Sequence, residues 1–147
     1  MFFKKKEKVE FEATKEFKFA SGVLQYDEGR NLIQYKNFPI KEIFSPEDIE
    51  SYELQYGNKT YNKANLGKAL VGGALFGVGG VLLAGTHQEE KIKDIQIKFQ
   101  LKGKKLYYLM PIYQGELKVN GTGAKIFLDS AEEIISFLNG VTNREEN

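Results

Sequence analysis

The stretch KDIQIKFQLKGKKLYYLMPIY, from Lys93 to Tyr113, carries the clearest structural signal in the sequence. In its first half, large apolar residues alternate strictly with polar ones, which is the period of a strand with one buried face. A polar turn, KGK, follows and leads into a second β-rich run, so we predict an antiparallel hairpin. The buried face of the first strand is predicted to contain Ile95, Ile97, Phe99 and Leu101.

Further strand signals lie upstream of this hairpin. FKFASGVLQYDEGRNLIQY, Phe17–Tyr35, has β-rich runs on either side of Asp27–Gly29, which are residue types of a hairpin loop. Pro39 and Pro46 then interrupt the pattern, and Ile49–Tyr56 is predicted to form another strand. One face of that strand contains Tyr52, Leu54 and Tyr56.

The C-terminal region predicts a single amphipathic helix. In DSAEEIISFLNG, Ser130 lies three residues before Glu133, the spacing of a capping box at a helix start. Asn139–Gly140 suits a left-handed cap at the helix end. The preceding segment, Gln114–Phe127, contains several glycines and is predicted to be a loop with a short strand. The buried face of the helix is predicted to contain Ala131, Ile134, Ile135 and Leu138.

The order of elements, several antiparallel strands followed by one closing helix, indicates a mainly β protein of the α+β class. A chain of 147 residues is long enough for one domain with a hydrophobic core. We expect a charged N-terminal arm over residues 1–16, one domain over 17–140 and a polar tail over 141–147. With 21 basic and 20 acidic residues the net charge is +1, which does not favour nucleic acid as a partner.

A glycine-rich apolar segment interrupts the strands. KALVGGALFGVGGVLLAG, Lys68–Gly85, lies within an insert that we place at residues 66–86. The uncharged run from Ala69 to Thr86 is 18 residues long, close to the lower limit of about 17 for a membrane-spanning helix. Its glycines disfavour one straight helix, whereas small residues at four-residue spacing suit two closely packed helical arms. We therefore predict a helical hairpin that returns the chain to the side it left.

Three segments in a fixed order carry a resemblance to known proteins. They are SPEDIESYEL (Ser45–Leu54), the glycine-rich insert, and IKDIQIKFQL (Ile92–Leu101), followed by a further strand and the terminal helix. In this order the chain resembles uncharacterised bacterial and phage proteins with a pleckstrin-homology-like (PH-like) fold, from about Gly22 to Leu138. The resemblance implies a partly open antiparallel β-sandwich or barrel with a capping C-terminal helix, and binding rather than catalysis. It carries over no functional residues.

Three interpretations of the insert stay open. It packs on its own domain and covers a sheet edge. Alternatively it is an exposed tip that enters a membrane interface or binds another copy, with nearby lysines meeting lipid headgroups. A phosphate-binding loop is the third, which Asn62 and Ala69 disfavour because a P-loop needs glycine and Ser or Thr there. The candidate contact residues are Leu70, Val71, Leu75, Phe76, Val81, Leu82, Leu83, Lys68 and Lys91.

The sequence predicts no catalytic residues, no metal site and no cofactor. Cysteine is absent and His87 is the only histidine, so a thiolate site, a two-imidazole metal site and a Ser-His-Asp relay are all unsupported. Two basic clusters, Lys4–Lys8 and Lys102–Lys105, are interpreted as solubilising charge and a hairpin tip. Contact of these lysines with lipid headgroups or nucleic acid is the alternative.

These observations predict a non-enzymatic binding or adaptor domain. It would use the glycine-rich apolar hairpin or a sheet edge to contact a membrane surface or a protein partner. The alternative is a small phage or mobile-element protein that binds and inhibits a host protein. The lack of cysteine and of a signal-peptide pattern favours a cytoplasmic location, with peripheral attachment to the inner face of the membrane as an option. Self-association is also open.

Overall fold

The computed structural model describes residues 10–56, 59–63, 91–118 and 122–142. These residues form eight strands, a short 3-10 turn at Pro46–Asp48 and one α-helix. The strands are β1 (Lys15–Phe19), β2 (Gly22–Asp27), β3 (Leu32–Asn37), β4 (Ile40–Phe44), β5 (Ile49–Tyr56), β6 (Lys59–Asn62), β7 (Lys91–Leu101) and β8 (Tyr107–Lys118), and the helix is α1 (Thr122–Thr142).

The strands form two antiparallel sheets. The first has the order β1-β2-β3-β4 and consists of successive hairpins. The second has the order β6-β5-β7-β8, in which β5, β7 and β8 are long and the short β6 lies at the edge beside β5. The prediction of a mainly β protein of the α+β class with one C-terminal helix is confirmed at this level.

Alternating side chains of both sheets meet in one core. The predicted inner face of β7 is confirmed, because Ile95, Ile97, Phe99 and Leu101 are each at most 4% exposed. Phe99 lies at the centre, with its ring 5.0 Å from that of Tyr108 and 5.4 Å from those of Tyr35 and Phe44. Phe99 stacks on Tyr108 within the second sheet, and its edge-on contact with Tyr35 and tilted contact with Phe44 join the first sheet to the second.

The helix is longer than the sequence predicted. It begins at Thr122, so the capping-box pair Ser130 and Glu133 lies inside it, and it continues past Asn139–Gly140 to Thr142. The predicted loop Gln114–Phe127 was also wrong, since β8 continues to Lys118 and α1 takes over at Thr122. Packing explains the extension, because side chains beyond both predicted ends of the helix are held in contact with the rest of the protein. Leu128 and Val141 are buried, and the ring of Phe127 packs against that of Tyr113.

The folded part begins before residue 17. β1 starts at Lys15, and the preceding residues are bound to the end of β2. Glu12 N donates a hydrogen bond to the Asp27 carboxylate at 2.8 Å, and Thr14 N donates to Tyr26 O at 2.7 Å. Residues 10–16 of the expected arm therefore belong to the sheet or are held against it, while residues 1–9, the insert 66–86 and residues 143–147 of the tail lie outside the described ranges.

Candidate functional site

Five large apolar side chains are exposed at the ends of two hairpins, β3–β4 and β7–β8. Phe38, in the turn between β3 and β4, is 94% exposed, and Leu106, just before β8, is 77% exposed. Exposed apolar residues in such a group mark a contact surface more often than isolated ones do. We call this group the apolar tip, and its members are Phe38, Ile40, Leu106, Tyr107 and Leu109.

Two links hold these hairpin ends side by side. The buried Tyr35 hydroxyl of β3 donates a hydrogen bond to Leu109 O of β8 at 2.6 Å. Asn37 Nδ2 donates to the Tyr35 oxygen at 3.1 Å and, more weakly, to Leu109 O at 3.4 Å. In the second link, Lys104 Nζ of the turn between β7 and β8 lies 3.7 Å from the carboxylate of Glu42 on β4. The exposed residues of both hairpins therefore lie on one region of the surface.

Strand periodicity explains why β8 contributes to the apolar tip. Met110 is buried and Tyr108 is half-buried, so Tyr107 and Leu109 fall on the opposite face. Tyr107 is 47% exposed, and Lys98 Nζ lies 5.3 Å above its ring. That distance is within the range of a cation–π contact, which keeps the ring surface next to a positive charge.

Lysines are frequent in the two segments that carry the apolar tip. The segments 36–42 and 102–109 contain five lysines and one glutamate, Glu42, and so carry a formal charge of +4. Lys36 and Lys41 occupy directly opposite positions in the β3–β4 ladder, an arrangement in which like charges repel. A nearby anionic surface would relieve this repulsion. These five lysines are Lys36, Lys41, Lys102, Lys104 and Lys105, and Lys98 lies over the ring of Tyr107.

Burial also affects the tyrosines beneath the tip. Desolvation raises the pKa of Tyr35, and its hydrogen bonds with Asn37 and Leu109 offset only part of this effect. The pKa of Tyr108 is raised first by burial and then by the Glu42 carboxylate. Both phenols are therefore neutral at physiological pH and act as hydrogen-bonding and packing groups.

The contact residues predicted from the sequence lie almost entirely outside the described ranges. This applies to Lys68 and to the apolar candidates between Leu70 and Leu83. Lys91 is the first residue of β7 and is paired with Lys118. The strands on either side of the insert, β6 and β7, both pair with β5, so the chain leaves and re-enters the same sheet.

The apolar members of the tip were not predicted from the sequence. The interpretation of Lys102–Lys105 as a hairpin tip is confirmed, because these residues lie between β7 and β8. Leu106 next to this cluster, and Phe38 in the β3–β4 turn, were not identified as contact residues. A signal was present, since large apolar residues are uncommon next to hairpin turns, where Gly, Asn, Asp and Ser dominate.

In the part of the chain that the structure describes, no helix combines the length and the apolar character that crossing a membrane requires. The same residues include no group of three or more His, Cys, Asp or Glu side chains placed to hold a metal ion. Comparisons with protein-family models, with curated proteins and with solved structures found no match for this chain.

Proposed function

We propose that this protein is a non-enzymatic, PH-like binding module that attaches to the surface of anionic membranes through its apolar tip. The observation that carries the proposal is the exposure of Phe38 and Leu106 on adjoining hairpin ends, in segments rich in lysine. A cytoplasmic location with peripheral attachment follows from the proposal, since the cytoplasmic leaflet supplies anionic lipid.

The energies available at the tip suit reversible attachment. Phe38 is 94% and Leu106 is 77% exposed, so most of their side-chain surface is free to leave water. Full burial of such a side chain is worth about 1.5–3 kcal/mol. A lysine near an anionic surface adds about 1 kcal/mol. Two inserted side chains and several lysines together therefore exceed the marginal binding of a single lipid chain.

The PH-like part of the proposal rests on the resemblance in the sequence. Two antiparallel sheets followed by a C-terminal helix are compatible with it. The short β6 leads into the glycine-rich insert, whose candidate contact residues remain a prediction. Under this proposal the insert is a second contact or a packing element, and the tip is the membrane contact.

Flotation with vesicles tests the proposal. The purified protein is mixed with vesicles of phosphatidylcholine alone or with phosphatidylserine as the minor component. We expect the intact protein to float with the anionic vesicles and the double variant Phe38→Ser, Leu106→Ser to lose at least about tenfold in affinity. Ile126→Ser is the matched control, because Ile126 is also exposed (59%) but lies on α1.

Charge removal provides a second test. Lys102→Ala with Lys105→Ala is expected to reduce binding to the anionic vesicles and to leave binding to the neutral ones unchanged. The proposal fails if the intact protein floats with neither vesicle, or if the double apolar variant floats as well as the intact protein. Co-purification of one stoichiometric protein that the same variant abolishes would instead favour the alternative of an inhibitor of a host protein.

A further inference from the structure

The outer face of the first sheet carries a group of polar side chains near the β3–β4 turn. Tyr35 of β3 is buried in the core, so its neighbours Gln34 and Lys36 lie on the other face of the sheet. Lys41 of β4 is directly opposite Lys36 in the ladder and therefore shares that face. This pair is the second in the ladder, counted from the turn that contains Phe38. We call Gln34, Lys36 and Lys41 the outer cluster.

The three residues of the outer cluster are near neighbours. Lys36 and Lys41 are directly opposite each other, and the Cβ atoms of such a pair lie about 4.5–5.5 Å apart. Gln34 is two residues from Lys36 along β3, a separation of about 6.6 Å. Because Gln34 is opposite Ile43, Lys41 is its diagonal neighbour at about 7–8 Å, within reach of a long side chain. Both ammonium groups and the amide can therefore meet one small ligand.

The amide of Gln34 is buried without a partner. Gln34 is 6% exposed, and its side chain forms no hydrogen bond in the part of the chain that the structure describes. Buried polar side chains are nearly always hydrogen-bonded, so an unsatisfied one calls for an explanation. Its neighbours Leu32 and Ile43 are half-buried and apolar, so their side chains offer it no partner. Lys36 is half-buried too, which indicates that its stem packs on the sheet, and movement of this stem would open the amide to a ligand.

The two ammonium groups of the cluster lack a counter-charge. Among the described residues, neither Lys36 nor Lys41 forms an ion pair. In the adjacent row of the same face, the Glu16 carboxylate already accepts a hydrogen bond from Gln25 Nε2 at 2.7 Å. Glu42 lies on the inner face, where it is paired with another lysine. Like charges directly opposite each other destabilise a strand pair, so an anion bound between these lysines would remove an unfavourable interaction.

We propose that the outer cluster binds a phosphomonoester. Such a group carries a charge of about −1.5 to −2 at neutral pH and three strong acceptor oxygens. The two ammonium groups and the Gln34 amide each donate to one of these oxygens, so every member of the cluster gains a partner. A phosphodiester has a smaller charge and one acceptor oxygen fewer, so it suits the cluster less well. The ester belongs to a lipid headgroup, as in phosphatidic acid, or to a soluble molecule, and only the lipid source rests on the proposed membrane function.

Titration of the full chain with methyl phosphate and with dimethyl phosphate, at constant ionic strength, tests the site without a membrane. NMR of the backbone and side-chain amides is the measurement. We expect saturable shifts that include the Gln34 side-chain amide, and binding of methyl phosphate at least about fivefold tighter than that of dimethyl phosphate.

Two variants and a control locate the binding. Gln34→Leu is expected to weaken methyl phosphate binding about fivefold without lowering the urea midpoint, because it removes a buried amide that has no partner. Lys41→Gln is expected to weaken binding by a similar factor, about fivefold. Lys15→Gln removes the same charge from an exposed position at the start of β1 and is the matched control, with binding within about twofold of the intact protein.

Flotation separates the two sources of the ester. Vesicles with phosphatidic acid or with phosphatidylglycerol are prepared at equal surface charge, and a lipid source predicts a preference for phosphatidic acid that Gln34→Leu removes. Binding of methyl phosphate without this preference would support the site and identify a soluble ester as its ligand.

The inference is overturned if the Gln34 amide does not respond to methyl phosphate, if dimethyl phosphate binds equally well, or if Gln34→Leu and Lys41→Gln both bind like the intact protein. Equal flotation with both vesicles and no response to methyl phosphate would remove this inference and leave the membrane proposal standing. Binding of methyl phosphate without any flotation would do the reverse.

Discussion

Replacing Tyr35 by phenylalanine is expected to weaken the joint between the two sheets. Tyr35 is 1% exposed, and its hydroxyl donates a hydrogen bond to Leu109 O at 2.6 Å while accepting one from Asn37 at 3.1 Å. The ring would keep its packing against Phe99 and Tyr108. The change therefore isolates the hydroxyl from the hydrophobic contribution of the side chain.

The magnitude follows from what the remaining groups can do. A buried polar group left without its partner costs about 1–3 kcal/mol. Leu109 O would keep the weaker contact with Asn37 at 3.4 Å, so the lower half of that range is expected. We predict a loss of about 1–2 kcal/mol in the free energy of unfolding. For a chain of 147 residues, each kcal/mol lowers the Tm by about 2–4 °C.

Urea unfolding followed by circular dichroism measures this loss. The midpoint should fall at an unchanged m-value, since the hydroxyl adds little to the surface exposed on unfolding. Tyr107→Phe is the control, because Tyr107 is a half-exposed tyrosine of the neighbouring strand. An unfolding free energy for Tyr35→Phe equal to that of the control would refute the role of the hydroxyl. Reduced vesicle binding at full folding would show that the same bond also positions the apolar tip.

Three further predictions concern stability. Ile97→Ala, at a position with 0% exposure in the middle of β7, is expected to cost about 2–5 kcal/mol in chemical denaturation. The pKa of Asp27 is lowered, first by the hydrogen bond from Glu12 N and then by bonds from Arg30, so the contribution of Asp27 to stability is complete above about pH 4 and is lost as the pH falls further. Asp27→Asn should reduce this loss of unfolding free energy at acid pH. Burial raises the pKa of Tyr52 to about 12, so stability should decline as the pH rises from about 10 towards 12, and Tyr52→Phe should reduce this alkaline loss.

The strands were predictable because their signal is local. Alternation in β7 and the turn residues after it are enough to indicate a hairpin, and Ile49–Tyr56 was predicted with the bounds that β5 has. The helix ends were not predictable in this way. A capping box at Ser130 is a local preference worth about 1 kcal/mol, whereas burial of Leu128, which is 2% exposed, contributes about 1.5–3 kcal/mol. Tertiary packing therefore moved the start of the helix.

The candidate contact surface was less predictable because it joins distant parts of the chain. The apolar tip depends on the bond between Tyr35 and Leu109, which are 74 residues apart. The contact between the rings of Phe17 and Phe137 likewise joins the two ends of the domain in sequence. Apolar residues at such positions resemble ordinary core residues in the sequence, and only the packing shows that Phe38 is outside the core while Phe99 is inside.

The length of β7 separates the two candidate membrane contacts. β7 begins at Lys91, shortly after the insert in the sequence, and the apolar tip lies around and beyond its other end at Leu101. Eleven residues of strand span roughly 35 Å, more than the thickness of a membrane interface. If the tip enters the lipid, the start of β7 therefore lies far from that surface.

Deleting Ala69–Gly85 should then leave flotation unchanged while the variant Phe38→Ser, Leu106→Ser loses it. The opposite result would place the membrane at the insert and assign the tip to a protein partner. Loss of flotation by both variants would require two membranes or a protein oriented with β7 along the bilayer surface.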